Sequence, residues 1–283
     1  MIRGNTNPST RERDRASVTI ESMSNAIRMT AATGIHKGDR EYQQDQVLVI
    51  AHPRVAGCVL TVLADGMGGR SGGRKASDQV MMTARQLFER YSPHTDDASA
   101  LLANMLQEAH IVIRLTAITA EQEPHSTIAA FLINPAGDCH WAHAGDSRIY
   151  HFRSGSLVRR TRDHSYVQGL VDRGEISEAQ ANTHPHANIL MGCLGSENDP
   201  PNATHTIARL QPGDVLLACS DGVWPYFSPL ELASATDSMS APEATAFLID
   251  NARLRARGSG DNLSLAIVKI ETPPDLSAKR GSP

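Results

Sequence analysis

The sequence predicts an α+β protein with antiparallel sheets, and three observations carry that prediction. Short runs of strand character dominate the middle of the chain: "QVLVIAH", "CVLTVLA", "STIAAFLIN", "CHWAHAG", "SRIYHFRSGSLVRRT", "DVLLACS" and "LSLAIVKI". Several of them meet through Gly or Asn-Pro turns, as hairpins do. The helical patterns are grouped apart from the strands, whereas a parallel sheet would need βαβ alternation.

The elements follow in order. One helix is expected from about Arg74 to Tyr91, with Ala76, Val80, Ala84, Leu87, Phe88 and Tyr91 on one stripe. A second spans roughly Ser99 to Thr119, where Leu102, Leu106, Ala109, Ile113 and Ala117 recur near the helical period. A later helix starts at Ser240, because Ser-Ala-Pro-Glu joins a capping box to a first-turn proline. Residues 1–29 read as a flexible, Arg- and Ser-rich N-terminal tail, and 272–283 as a flexible C-terminal tail. No repeat or long linker divides 30–271, which reads as one domain.

Composition excludes several classes. The 283 residues are 40% hydrophobic, enough for a substantial core. With 27 basic and 31 acidic residues the net charge is −4, so no basic field favours nucleic acid. Runs such as "GCVLTVLA" are far too short to span a bilayer. The N-terminus has no apolar signal-peptide core. Cys58, Cys139, Cys193 and Cys219 are scattered and form no C-x-x-C pair, which reads as buried, reduced thiols in a cytoplasmic protein.

The candidate chemistry lies where strands end. In "LADGMGGRSGGRK" an apolar run stops at Asp65 before a glycine-rich turn. A phosphate-binding P-loop would need G-x-x-x-x-G-K-S/T, but Arg74 and Lys75 follow Gly73. The dinucleotide fingerprint fails too, since Gly66 and Gly68 lead to Ser71. A lone Asp-Gly is usually just a turn. Here the pattern recurs, with Asp221 after "VLLACS", Asp146 between two strands and Asp261 just before another. Carboxylates gathered at one point cannot all stay charged without cations. An all-oxygen ligand set suits Mg²⁺ or Mn²⁺. Glycine at 66 would let a backbone carbonyl approach such an ion. Arg40, five residues before Asp45, supplies the fork of donors that a phosphate dianion would need. Twelve histidines, densest at His184/His186 and His140/His143, show no zinc-ligand spacing. No cysteine has an Arg six residues on, which argues against thiol-phosphatase chemistry.

In order, Arg40–Asp45, "ADGMGG" (64–69), "GDSRIY" (145–150), "TRDHS" (161–165), "HP" with "NIL" and "LG" (184–195), "SDGVW" (220–224) and "GDNLSLAIV" (260–268) resemble the protein phosphatase 2C (PPM) family of metal-dependent Ser/Thr phosphatases, in its bacterial branch. The resemblance covers about 240 residues, Gly34 to Ile270. It implies a four-layer α-β-β-α sandwich of two antiparallel sheets flanked by helices. It implies hydrolysis of phosphoserine and phosphothreonine in proteins by a hydroxide that bridges two Mn²⁺ or Mg²⁺ ions. In that scheme Asp65 bridges the ions, the Gly66 carbonyl joins one, and Asp221 and Asp261 hold the other. Asp45 acts through water, and Arg40 binds the phosphate. Asp146 with Asp221 would hold a third, weaker ion. Residues 164–195 look like the family's flap. The implied partners are phosphoproteins and an opposing Ser/Thr kinase, with the protein a monomer. The rival reading is a pseudophosphatase that binds phosphoproteins without turnover. Three positions depart from the pattern: Gln44 replaces a frequent Glu, Pro225 a frequent Asp, and Met67 the histidine that eukaryotic members often use as general acid.

Overall fold

A computed structural model describes residues 22–23, 28–120, 123–198, 200, 204–207 and 209–271. The strands are β1 (Ser22–Met23), β2 (Arg28–His36), β3 (Gln46–Ala51), β4 (Val59–Ala64), β5 (Gly66–Met67), β6 (His125–Ser126), β7 (Ile128–Ile133), β8 (Cys139–Ala144), β9 (Arg148–Arg153), β10 (Ser156–Arg160), β11 (Thr204–Ile207), β12 (Asp214–Cys219) and β13 (Leu263–Glu271). The helices are α1 (Gly69–Arg90), α2 (Ala98–Ala120), α3 (Tyr166–Asp172), α4 (Glu178–Ala181), α5 (Pro229–Ser238) and α6 (Ala241–Ala256).

One sheet runs β1-β2-β13-β12-β9-β10 and the other β11-β8-β7-β4-β3; all pairings are antiparallel. Side-chain alternation divides single strands between two cores. In β12, Val215, Leu217 and Cys219 face the core beneath α5 and α6, while Leu216 and Ala218 face the opposite sheet. In β4, Leu60, Val62 and Ala64 pack under α1 and α2, while Val59 and Leu63 enter the space between the sheets. Three apolar layers therefore separate four structural ones, giving the α-β-β-α sandwich. Both strands read as mainly apolar runs because both of their faces are covered.

Local signals placed many boundaries. Ser240 caps α6 with a complete capping box, and Ser228-Pro229 caps α5 in the same way. Ser154 and Gly155 both have positive φ, which closes the β9–β10 hairpin tightly. The first helix starts earlier than its apolar stripe indicates, at Gly69 rather than Arg74. Its opening turn lies against the Asp65-Gly66 turn: a Cβ on Gly73 would fall 2.5 Å from the Gly66 carbonyl oxygen. Only glycine permits that approach. Strand β2 and helix α5 carry no strong periodic signal, because "RMTAATGIH" and "PLELASATDS" are largely small and polar.

The tail expected over 1–29 lies mostly outside the described residues, as does 272–283; within it, Ser22–Met23 and the start of β2 are strand. All four cysteines are buried and free.

Candidate active site

Loops at the strand ends of both sheets carry the five aspartates. Asp65 follows β4, Asp45 precedes β3, Asp146 lies between β8 and β9, Asp221 follows β12, and Asp261 precedes β13. Five residues spread over more than two hundred positions are thus brought into one electrostatic neighbourhood. Asp65 feels Asp45, Asp221, Asp146 and Asp261, and burial with these neighbours pushes its carboxyl well above the ordinary range. Burial likewise raises Asp45 to about 6, Asp221 to about 7 and Asp146 to about 8, with neighbouring carboxylates adding to it.

Asp45 is held by its carboxylate, and Asp65 and Asp146 by their backbones. Ser220 and Ser264 hydroxyls both donate to Asp45 Oδ2 at 2.8 Å. The Asp65 carbonyl accepts from the Thr127 amide at 2.9 Å and the Ser126 hydroxyl at 3.1 Å, while the Asp65 amide donates to Thr127 Oγ1 at 3.0 Å. Thr127 Oγ1 in turn meets Ser147 Oγ at 2.7 Å, which couples the Asp65 turn to the loop bearing Asp146. Trp224 Nε1 donates to the Asp146 carbonyl at 3.0 Å.

Arg40 sits at the mouth, its side chain 62% exposed, and its Nη2 donates to Asp261 Oδ2 at 2.5 Å. Its loop is stitched down by Asn262, whose Nδ2 donates to the Lys37 and Tyr42 carbonyls, each at 2.9 Å, and whose Oδ1 accepts the Gln44 amide at 2.7 Å. Gly38 lies so close to Asp261 that a Cβ there would be 1.9 Å from its carbonyl oxygen.

The residues fit divalent cations. Asp45 Oδ1 and Asp221 Oδ1 are buried and have no hydrogen-bond partner among the described residues. A buried carboxylate oxygen without a donor is costly unless a cation meets it. Among the described residues, no three His, Cys, Asp or Glu side chains already form a closed cage around one point. Hard ions such as Mg²⁺ do not require one, since they keep several waters and take only one or two carboxylates.

The sequence profile of the protein phosphatase 2C family matches residues 35–254. The chain belongs to the protein phosphatase 2C family. It is 34% identical over 224 residues to the serine/threonine protein phosphatase PstP of Mycobacterium tuberculosis, covering 76% of this chain and 41% of that protein. It thus spans about two fifths of that relative's length. With the serine/threonine phosphatase stp of Listeria welshimeri it shares 30% identity over 74% of this chain and 84% of that one. The crystal structure of the PstP catalytic domain in complex with two manganese ions superimposes with a TM-score of 0.72 and 26% identity, covering 87% of this chain and 99% of that one.

The protein phosphatase 2C departures acquire physical content. Gln44 gives its side-chain amide to the Gly69 carbonyl at 2.6 Å, bracing the glycine turn. Met67 pairs across β5–β6 with His125, whose Nδ1–H donates to the Glu123 carbonyl at 2.9 Å. Pro225 lines a cavity beside Asp146 and Asp221. Asn262, Ser220, Ser264 and Thr127 lie inside motifs or strands whose pattern gives them no role. Their signal is a small polar side chain next to a strand-end aspartate, which only the folded pairings turn into a partner.

Proposed function

We propose that this protein hydrolyses phosphoserine and phosphothreonine in proteins with the help of two Mn²⁺ or Mg²⁺ ions. The observation that carries the reading is the set of buried strand-end carboxylates, two with orphaned oxygens, beside an exposed arginine. Asp65, Asp221, Asp261 and the Gly66 carbonyl would hold the ions, with Asp45 acting through water. Asp146 and Asp221 would hold a third, weaker one. When bound, the ions would acidify a water and offset charge on the phosphoryl oxygens. Arg40 orients the phosphate through those guanidinium hydrogens that Asp261 does not take. Asp45, clamped at one oxygen by two serines, offers the other to order water.

Phosphoproteins and an opposing Ser/Thr kinase are the partners this reading implies. We further propose a monomeric, cytoplasmic catalytic domain over 30–271 with a flap at 164–195. No described helix is long and apolar enough to cross a membrane. The pseudophosphatase alternative is not favoured, because the carboxylates and Arg40 are all retained.

The test is initial rates on a phosphothreonine peptide with Mn²⁺, Mg²⁺ or EDTA, beside Asp65→Asn. Turnover in Mn²⁺, lost in EDTA and in the variant, supports the reading. A folded, metal-loaded wild type without turnover overturns it.

A further inference from the structure

Arg40 approaches the carboxylate cluster from the loop before β3. A second polar side chain approaches it from the far end of the chain. Shortly after Asp221 the backbone makes a 3₁₀ turn, Trp224–Tyr226, with Pro225 inside it. The turn is pinned at both ends. Trp224 Nε1 donates to the Asp146 carbonyl at 3.0 Å. Arg255 of α6 donates from Nη1 to the Tyr226 carbonyl at 2.5 Å, and its guanidinium carbon lies 4.6 Å from the Phe227 ring centroid. Glu231 holds Arg255 in turn, at 2.8 Å. Pro225 removes further backbone freedom.

The Tyr226 ring is thus positioned without any use of its hydroxyl. Tyr226 is half-buried and lines the same cavity as Asp146 and Asp221. Among the described residues its hydroxyl has no hydrogen-bond partner. Burial, and then the charges of Asp221, Asp261 and Asp39, push the phenol above its ordinary value of 10.0, so it remains a neutral O–H donor. Arg40 also feels Asp261 and Asp221, and Asp39 is its neighbour in the chain. The guanidinium and the phenol therefore share two carboxylates as neighbours.

We propose that Tyr226 is a second substrate-contacting residue, whose hydroxyl donates a hydrogen bond to a phosphoryl oxygen of the phosphorylated side chain alongside Arg40. A phosphate dianion offers more acceptor positions than one guanidinium fills, and Arg40 already gives one hydrogen to Asp261. A tyrosine meets that demand at low entropic cost, because its ring has only two rotatable bonds. Donors fixed in advance near developing charge need no reorganisation when the reaction occurs. The proposal rests on the phosphatase reading and adds to it a residue outside the motifs, since "SDGVW" ends at Trp224.

Tyr226→Phe deletes the hydroxyl and keeps the ring, so it separates the hydrogen bond from packing. The probe is inorganic phosphate, titrated calorimetrically into the Mn²⁺-loaded wild type and variant. Its Kd is expected to rise about ten- to hundredfold in the variant, with kcat/KM on a phosphothreonine peptide falling by a similar factor. The Tm and the Mn²⁺ concentration giving half-maximal rate should stay at their wild-type values. Unchanged phosphate affinity in the variant overturns the proposal, whatever happens to the rate. A weakened Mn²⁺ midpoint beside unchanged phosphate affinity would show that the phenol supports Asp221 instead. Wild-type protein that hydrolyses no phosphopeptide, yet loses phosphate affinity in the variant, would sink the phosphatase reading and leave the Tyr226 contact standing.

Discussion

Arg40 Nη2 donates to Asp261 Oδ2 at 2.5 Å, joining the residue expected to hold phosphate to one expected to hold metal. Asp261 raises the Arg40 pKa, first by the hydrogen bond and then by its charge. The pair ties the Arg40 loop to the start of β13, so that the proposed phosphate and metal sites are joined by one hydrogen bond.

Removing the guanidinium should therefore cost transition-state binding more than folding. Arg40→Ala is expected to lower kcat/KM on a phosphothreonine peptide by on the order of 10²-fold. The metal concentration giving half-maximal rate should not rise, since Asp261 is freed rather than lost. Steady-state kinetics across a Mn²⁺ titration would show both. A weakened metal midpoint with unchanged rate at saturation would contradict the assignment.

The raised carboxylates make metal binding and stability depend on pH. Asp45, Asp221 and Asp146 titrate at about 6, 7 and 8 when folded, above the ordinary value near 3.8. Between about pH 4 and 8 the folded state thus holds more protons than the unfolded one. By linkage these groups lower stability as pH rises through that window. Cations must displace the same protons. The gain in Tm on adding Mn²⁺ should be larger at pH 8 than at pH 6, with EDTA as reference. A gain independent of pH would show that these carboxylates are not the ligands.

Asn262 is placed to matter without touching the chemistry. Asn262→Ala removes three buried or half-buried hydrogen bonds to the Arg40 loop. At about 1 kcal/mol each, with stranded carbonyls adding to the cost, a loss of about 2–4 kcal/mol is expected. Chemical denaturation measures that loss. KM for the peptide should rise as the Arg40 loop loosens.

Gly222, directly after Asp221, tests how tightly the turn is packed. A Cβ there would stand 1.9 Å from the Asn262 carbonyl oxygen, which is backbone and cannot swing aside. Gly222→Ala should destabilise by about 1–3 kcal/mol or more and displace Asp221. Full metal-dependent activity at wild-type stability would refute the close approach.

Much of this architecture is legible in the chain. The apolar runs that became β4, β7, β12 and β13 are strong because each strand is covered on both faces, so most of its side chains are apolar. The helices α1, α2 and α6 announce themselves by stripe or cap. The aspartates announce themselves by sitting where those runs stop. Other elements are weak in sequence for equally physical reasons. Strand β2 pairs with β13 along its full length, yet its small side chains give no alternating signal. Helix α5 is short and carries little apolar stripe.

The sequence by itself determined the chemistry on offer: carboxylates at strand ends, an arginine before β3, and glycines where backbone must approach backbone. Local propensity and hydrophobic period suffice for that, because each acts over a few neighbouring residues. Only the tertiary structure decided the partnerships. That Ser220 and Ser264 grip Asp45, that Asn262 fastens the Arg40 loop, and that Arg40 spends a hydrogen on Asp261 all depend on contacts across 175 to 225 positions. Such pairings are fixed by sheet register and by packing between layers, and no short window of sequence contains them.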